Sequence, residues 1–159
     1  MKKTSMVFLQ GIIVLIGLIT LAIMIRMPLT EGRAINLDLF HIYSDPFIMY
    51  GYLASISFFI GLYQAFKLLG YVGKNEVFTS SAVMALRNIK YSAIVLSILI
   101  VLAGLYIKIF HAEGDDPAGF LALCIVTTFV SVVIATVVAV FEKNLQSAVD
   151  IKSENQLIV

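Results

Sequence analysis

Residues 91–110 read YSAIVLSILIVLAGLYIKIF, twenty positions with a single charge, Lys108, close to the far end. Helix rise is about 1.5 Å per residue and the hydrocarbon of a bilayer is about 30 Å thick, so about 20 mainly apolar residues make one crossing. In lipid each backbone N–H and C=O must be paired inside its own segment, which makes such a run a helix. Three more runs of the same kind stand at about 5–25, 47–69 and 119–141, and the four take up most of the 159 residues. The expected fold is all-α: a polytopic membrane four-helix bundle, one membrane domain over 1–159 with a polar tail from 142 to 159.

Composition agrees. Hydrophobic residues make up 60% of the chain and charged residues 13%, with a mean hydropathy of +1.00; soluble domains are about 45–50% apolar. A net charge of +1 carries no nucleic-acid footprint, so no direct nucleic-acid contact is expected. Cys124 is the single cysteine. That rules out an internal disulfide and the paired-thiol chemistry of a membrane oxidoreductase, and Cys124 reads as a small buried hydrophobe. No Asp, Glu, Lys, Arg or His falls in the middle of a span, whereas a proton-coupled exporter needs an intramembrane carboxylate. No nucleophile elbow, HExxH, P-loop or GxGxxG occurs. Neither catalytic residues nor a cofactor are expected, and the chain does not read as an enzyme. The first run is longer than a signal-peptide core and ends at Arg26-Met27-Pro28 without a cleavage site, so it is read as a retained span.

Orientation follows from Lys and Arg placement. Lys2, Lys3, Lys67, Lys74, Arg87, Lys90, Lys143 and Lys152 fall on one side, and Arg26, Arg33 and Lys108 on the other. Both termini and the middle loop should therefore be cytoplasmic. The outward segments, 26–46 and 111–118, hold Glu31, Asp38, Asp45, Glu113, Asp115 and Asp116. Asp45-Pro46 has the pattern of an N-cap followed by proline at the first helical position, and Asp116-Pro117 repeats it. Pro28 is expected in a loop. Gly70 and Gly73 are expected in the turn before the third helix, which should start near Thr79 and project below the membrane. The fourth helix should overrun the membrane too, along a stripe of Phe141, Leu145 and Val149.

Small residues recur on two spans: Gly51 and Ser55 on the second, and Thr127, Ser131, Ala135 and Ala139 at four-residue spacing on the fourth. Such ridges let helices approach closely in lipid, within one chain or between copies, and a homo-oligomer stays open. Gln10 and Gln64 are expected to make interhelical hydrogen bonds rather than bind a ligand. Tyr43, Tyr50 and Tyr52 fit an aromatic belt at the membrane surface. His41 and His111, with the nearby acids, are weak candidates for a divalent metal, but their spacing matches no metal signature and no metal is expected.

The segment Phe78-Thr79 … Ala85-Leu86-Arg87-Asn88-Ile89-Lys90, together with the ending from Ala148 through Ser153-Glu154-Asn155-Gln156-Leu157, resembles a recurring pattern of one bacterial family. These are the small four-span membrane proteins of domain-of-unknown-function family 2975. The resemblance covers nearly the whole chain. The family has no assigned activity, so it implies no catalytic chemistry. Its members are often encoded beside a small helix-turn-helix regulator, which implies a cytoplasmic protein partner.

The resulting expectation is an interaction or regulatory module of the bacterial inner membrane, surrounded by lipid and coupling the envelope to a cytoplasmic regulator. Thr79, Leu86, Arg87, Lys90, Glu154 and Leu157 are its candidate contact residues. The alternative is a small permease or lipid-binding bundle, motivated by the aromatic second span and the small-residue fourth. Reporter fusions test the orientation: fusion at Asp115 should report from outside the cell and fusion after Val159 from inside, and the reverse pattern would overturn it.

Overall fold

The computed structural model describes residues 3–30, 38–111, 113–114 and 116–158. Five helices follow one another: α1 (Lys3–Thr30), α2 (Leu39–Tyr43), α3 (Pro46–Gly73), α4 (Ser80–Phe110) and α5 (Ala118–Ile158). No strand occurs among the described residues. Four of the five helices are long and apolar enough to cross a membrane. Glu31, Arg33 and Asp115, which entered the reading of the outward loops, and Lys2 lie outside the described residues.

Helices adjacent in sequence pack antiparallel. Met6 meets Gly73 and Tyr52 meets Met24 between α1 and α3. Ser92 meets Gly61 and Tyr50 meets Leu99 between α3 and α4. Cys124 meets Gly104 and Glu142 meets Arg87 between α4 and α5. The pairs α1·α3, α3·α4 and α4·α5 carry the long-helix packing; α1 makes no extended contact with α4 or α5 among the described residues. The bundle is therefore an open row, with α1 and α5 at its rims and the α4–α5 pair as its most extensive interface.

The helix ends have local causes. Asp45 accepts a hydrogen bond from the Phe47 N–H at 2.8 Å, with Pro46 at the first position of α3, as the sequence pattern predicts. Asp116 accepts from the Ala118 N–H at 3.1 Å, so Pro117 falls one residue before α5. Thr79 caps α4: its hydroxyl accepts from the Ala82 N–H at 3.3 Å and donates to the Glu76 carbonyl at 2.8 Å. The short α2, which sequence reading left inside a loop, is capped by Asp38 accepting from the His41 N–H. Gly70 and Gly73 do not form the turn expected of them, because α3 runs through both. The turn comes at Lys74 and Asn75, whose φ of 59° is the left-handed value that asparagine tolerates better than most residues. The glycines instead bring α1 close: a Cβ on Gly73 would stand 3.3 Å from Met6 Cβ, and one on Gly70 3.3 Å from Gln10 Nε2.

Pro28 also departs from expectation. It is not in a loop but buried in the last turns of α1, which continues to Thr30. Proline has no N–H, so the Met24 carbonyl four residues earlier loses its helical donor. The Tyr52 hydroxyl donates to that same carbonyl at 2.8 Å, and the Tyr43 hydroxyl donates to the next, Ile25, at 2.7 Å. The Tyr52 O–H from α3 thus supplies what the proline withholds, and the helix need not end there. Tyr52→Phe should cost about 1 kcal/mol of unfolding free energy in detergent. In a Pro28→Ala background it should cost less than half of that, since alanine restores the N–H. A denaturant-titrated double-mutant cycle measures this; a tyrosine cost independent of residue 28 would refute the link.

Candidate functional site

The end of the molecule that carries the start of α1, the α3–α4 turn and the tail of α5 gathers most of the described Lys and Arg residues. Here α4 and α5 run past their apolar segments. Arg87 and Lys90 stand three apart on α4, hence on one face. Opposite them is Glu142, the only carboxylate between Asp116 and Asp150. Arg87 Nε donates to Glu142 Oε1 at 2.8 Å, and Lys90 Nζ lies 2.6 Å from Oε2. The lysine contact is an ion pair. Glu142 is 8% exposed and Arg87 far more open. Lys90 first, then Arg87, hold the Glu142 carboxyl below the usual glutamate range. The same pairing keeps the Arg87 guanidinium above its ordinary value. Lys90 also lies 4.8 Å over the Tyr91 ring.

Beyond this pin lies the best-packed part of the chain. Ala82, Val83, Ala85 and Leu86 are buried, Val83 fully. The register that sets Arg87 beside Glu142 brings Val83 level with Leu145, which is half-buried, as is Val149. Phe141, expected on the same stripe, instead faces outward. Farther out, a groove of about 710 Å³ opens between Phe78 and the tail of α5, lined by Ala148, Ile151, Lys152, Asn155 and Gln156. Phe78 is 54% exposed and Ile151 59%.

The candidate contact residues are placed unevenly. Leu86 is only 7% exposed, so it belongs to the α4–α5 core and presents no surface. The Thr79 hydroxyl is occupied in capping, and Arg87 and Lys90 are tied to Glu142. Glu154 and Leu157 are exposed on the tail, Leu157 at 84%. Sequence reading named Arg87 and Lys90 as cytoplasmic contact residues but overlooked their partner Glu142. The signal was present: a lone carboxylate at the end of one helix of an antiparallel pair, at the depth where its neighbour begins with two cations.

Of the small-residue ridge on α5, Ser131 and Ala135 are buried, and Thr127 and Ala139 half-buried. Gly51 has open space around it, and the Ser55 hydroxyl donates within its own helix to the Tyr52 carbonyl at 2.6 Å. Gln10 donates to the Phe66 carbonyl at 3.0 Å, the interhelical bond predicted for it. At the opposite end Phe47, Tyr106, Phe110 and Phe120 join α3, α4 and α5 through ring contacts of 5.2–6.1 Å between centroids. His41 contacts the Asp38 carboxylate, which that hydrogen bond holds below its usual range. His111 Nδ1 sits 3.1 Å from the Ile107 and Lys108 carbonyls. No group of three metal-ligating side chains gathers among the described residues.

Comparison with known proteins agrees with this architecture. Residues 6–159 match the sequence profile of a family described as "Protein of unknown function (DUF2975)". The chain is 42% identical over 162 aligned residues to "Uncharacterized membrane protein YoaS" of Bacillus subtilis (strain 168), with the whole of both chains covered. No solved structure matches it.

The Glu142 pin makes a non-additive prediction. Arg87→Gln alone should lower stability only slightly, because Lys90 still neutralises the carboxylate and arginine is the more exposed partner. Arg87→Gln with Lys90→Gln should cost roughly 3 kcal/mol, since a buried carboxylate is then stranded, and adding Glu142→Gln should recover most of that. Unfolding titrations of the four proteins measure it; additive losses without recovery would contradict the shared-carboxylate geometry.

Proposed function

The chain belongs to the DUF2975 family, and on that premise we propose that it is a membrane-embedded interaction module whose projecting α4–α5 pair docks a cytoplasmic protein. It sits in the bacterial cytoplasmic membrane as a multi-pass protein with both ends inside. The observation that carries this reading is the exposure of Phe78 and Ile151 across one groove, past the apolar runs of α4 and α5. Large apolar side chains that gather on a water-facing surface mark a contact site. Ala148, Ile151, Lys152 and Asn155 follow the i, i+3, i+4, i+7 spacing of one helix face. That face suits an amphipathic helix laid into the groove, with Lys152, Asn155 and Gln156 as its polar rim. A small helix-turn-helix regulator, the partner implied by the family resemblance, can present such a helix.

The Glu142 pin supports the coupling half of this reading. It ties the two helices together where they leave the apolar layer, so a change in their crossing within the membrane is passed to the groove rather than absorbed at the boundary. The reading assigns no chemistry to the spans, and the partner leaves unmodified.

A photoreactive amino acid introduced at Ile151 tests it in living cells. The expected adduct joins this chain to a soluble protein and is lost in a Phe78→Asp variant that is inserted normally. Adducts to lipid alone, or to a second copy of the chain alone, would overturn the docking reading.

A further inference from the structure

At the rim of the row, between the start of α1 and the end of α3, lies a second groove of about 350 Å³. Three lysines line it: Lys3 from the first turn of α1, and Lys67 and Lys74 from the end of α3. No carboxylate lines it, and none of the three ammonium groups has an ion pair among the described residues. Lys67 lies 5.7 Å over the Tyr63 ring. The other walls are Met6, Val7, Tyr63 and Phe66, and Val7 and Tyr63 are more than half exposed along the side of the row. Glycine keeps this place narrow, with Gly73 against Met6 and Gly70 against Gln10, and the Gln10–Phe66 hydrogen bond ties the two helices at its floor.

We infer that this groove is a binding site for an anionic phospholipid, its phosphodiester headgroup among Lys3, Lys67 and Lys74 and an acyl chain along the α1–α3 seam. Two features fix the ligand class. Three cations without an acid call for an anion, and ammonium groups act as point charges suited to phosphate. The apolar walls continue from the lysines towards the membrane interior, so the anion carries a hydrocarbon chain. The depth fits as well: the lysines stand where the apolar runs of α1 and α3 end, the level at which basic side chains reach headgroups. Basic pockets between spanning helices bind anionic headgroups in this manner. The site is separate from the Phe78 groove at the other rim, and because it depends on depth rather than on side, it stands or falls independently of the docking reading and of the orientation.

The test uses full-length protein, delipidated in neutral detergent and titrated in native mass spectrometry. The probes are phosphatidylglycerol, phosphatidylcholine with the same acyl chains, and chain-free glycerophosphoglycerol. One phosphatidylglycerol should bind and survive collisional activation that strips phosphatidylcholine, and the chain-free headgroup should bind far more weakly. Each single change Lys3→Gln, Lys67→Gln or Lys74→Gln should weaken phosphatidylglycerol binding roughly fivefold, and the three together roughly 100-fold, while Lys→Arg changes retain it. Lys143→Gln, a basic residue at the same end but outside the groove, should leave it unchanged. Equal retention of the two lipids, undiminished binding in the single variants, or a headgroup that binds as tightly without its chains would each overturn the assignment. Should the triple variant not fold, the single variants and the headgroup arm decide.

Discussion

Hydrocarbon offers a backbone carbonyl no substitute partner, and most of this structure is arranged around that constraint. The clearest case is the Met24 carbonyl. Pro28 cannot donate to it, and Tyr52, from a different helix, does. Hydroxyls elsewhere obey the same rule inside their own helices: Ser97 donates to Ala93, Thr127 to Leu123 and Thr136 to Val132. These side chains are thus spent on the backbone. Hydroxyls used in this way are satisfied within the fold, which turns attention to the ends of the helices.

The distribution of burial follows from the same physics. Inside lipid an apolar side chain gains little by turning towards another helix, so association there relies on close approach by small residues such as Gly104, Ser131 and Ala135. Outside lipid the hydrophobic effect returns. The densest packing accordingly lies in the α4 extension, at Ala82, Val83, Ala85 and Leu86, rather than in any apolar run. Phe78 and Ile151 stay exposed beside that buried cluster, as do Met84 and Leu157, and of these Phe78 and Ile151 share one groove.

The sequence was most legible where one local rule acts alone. Run length marked the four spans, Asp45-Pro46 the start of α3 and Thr79 the start of α4. It was least legible where two distant segments decide together. Pro28 looked like a helix end because the tyrosine that rescues its helix lies 24 positions downstream. Gly70 and Gly73 looked like turn residues because the closeness of α1 cannot be read from α3. Arg87 and Lys90 looked available to a partner because their counterion, Glu142, comes 55 residues after Arg87. The candidate site was half visible in this sense: its cations and its tail were evident, whereas the carboxylate that fixes them and the face made with Phe78 required the fold.

At 41 residues α5 is about 60 Å long, twice the thickness of the hydrocarbon layer. Roughly 25 Å of it stands beyond residue 141. A rigid rod pivoting at the membrane surface acts as a lever: a tilt of about ten degrees in the bilayer sweeps its free tip through about 4 Å, close to the spacing of neighbouring strands or one turn of a helix. On the docking reading proposed above, membrane thickness, which sets how a long apolar helix leans, would set the position of the docking surface.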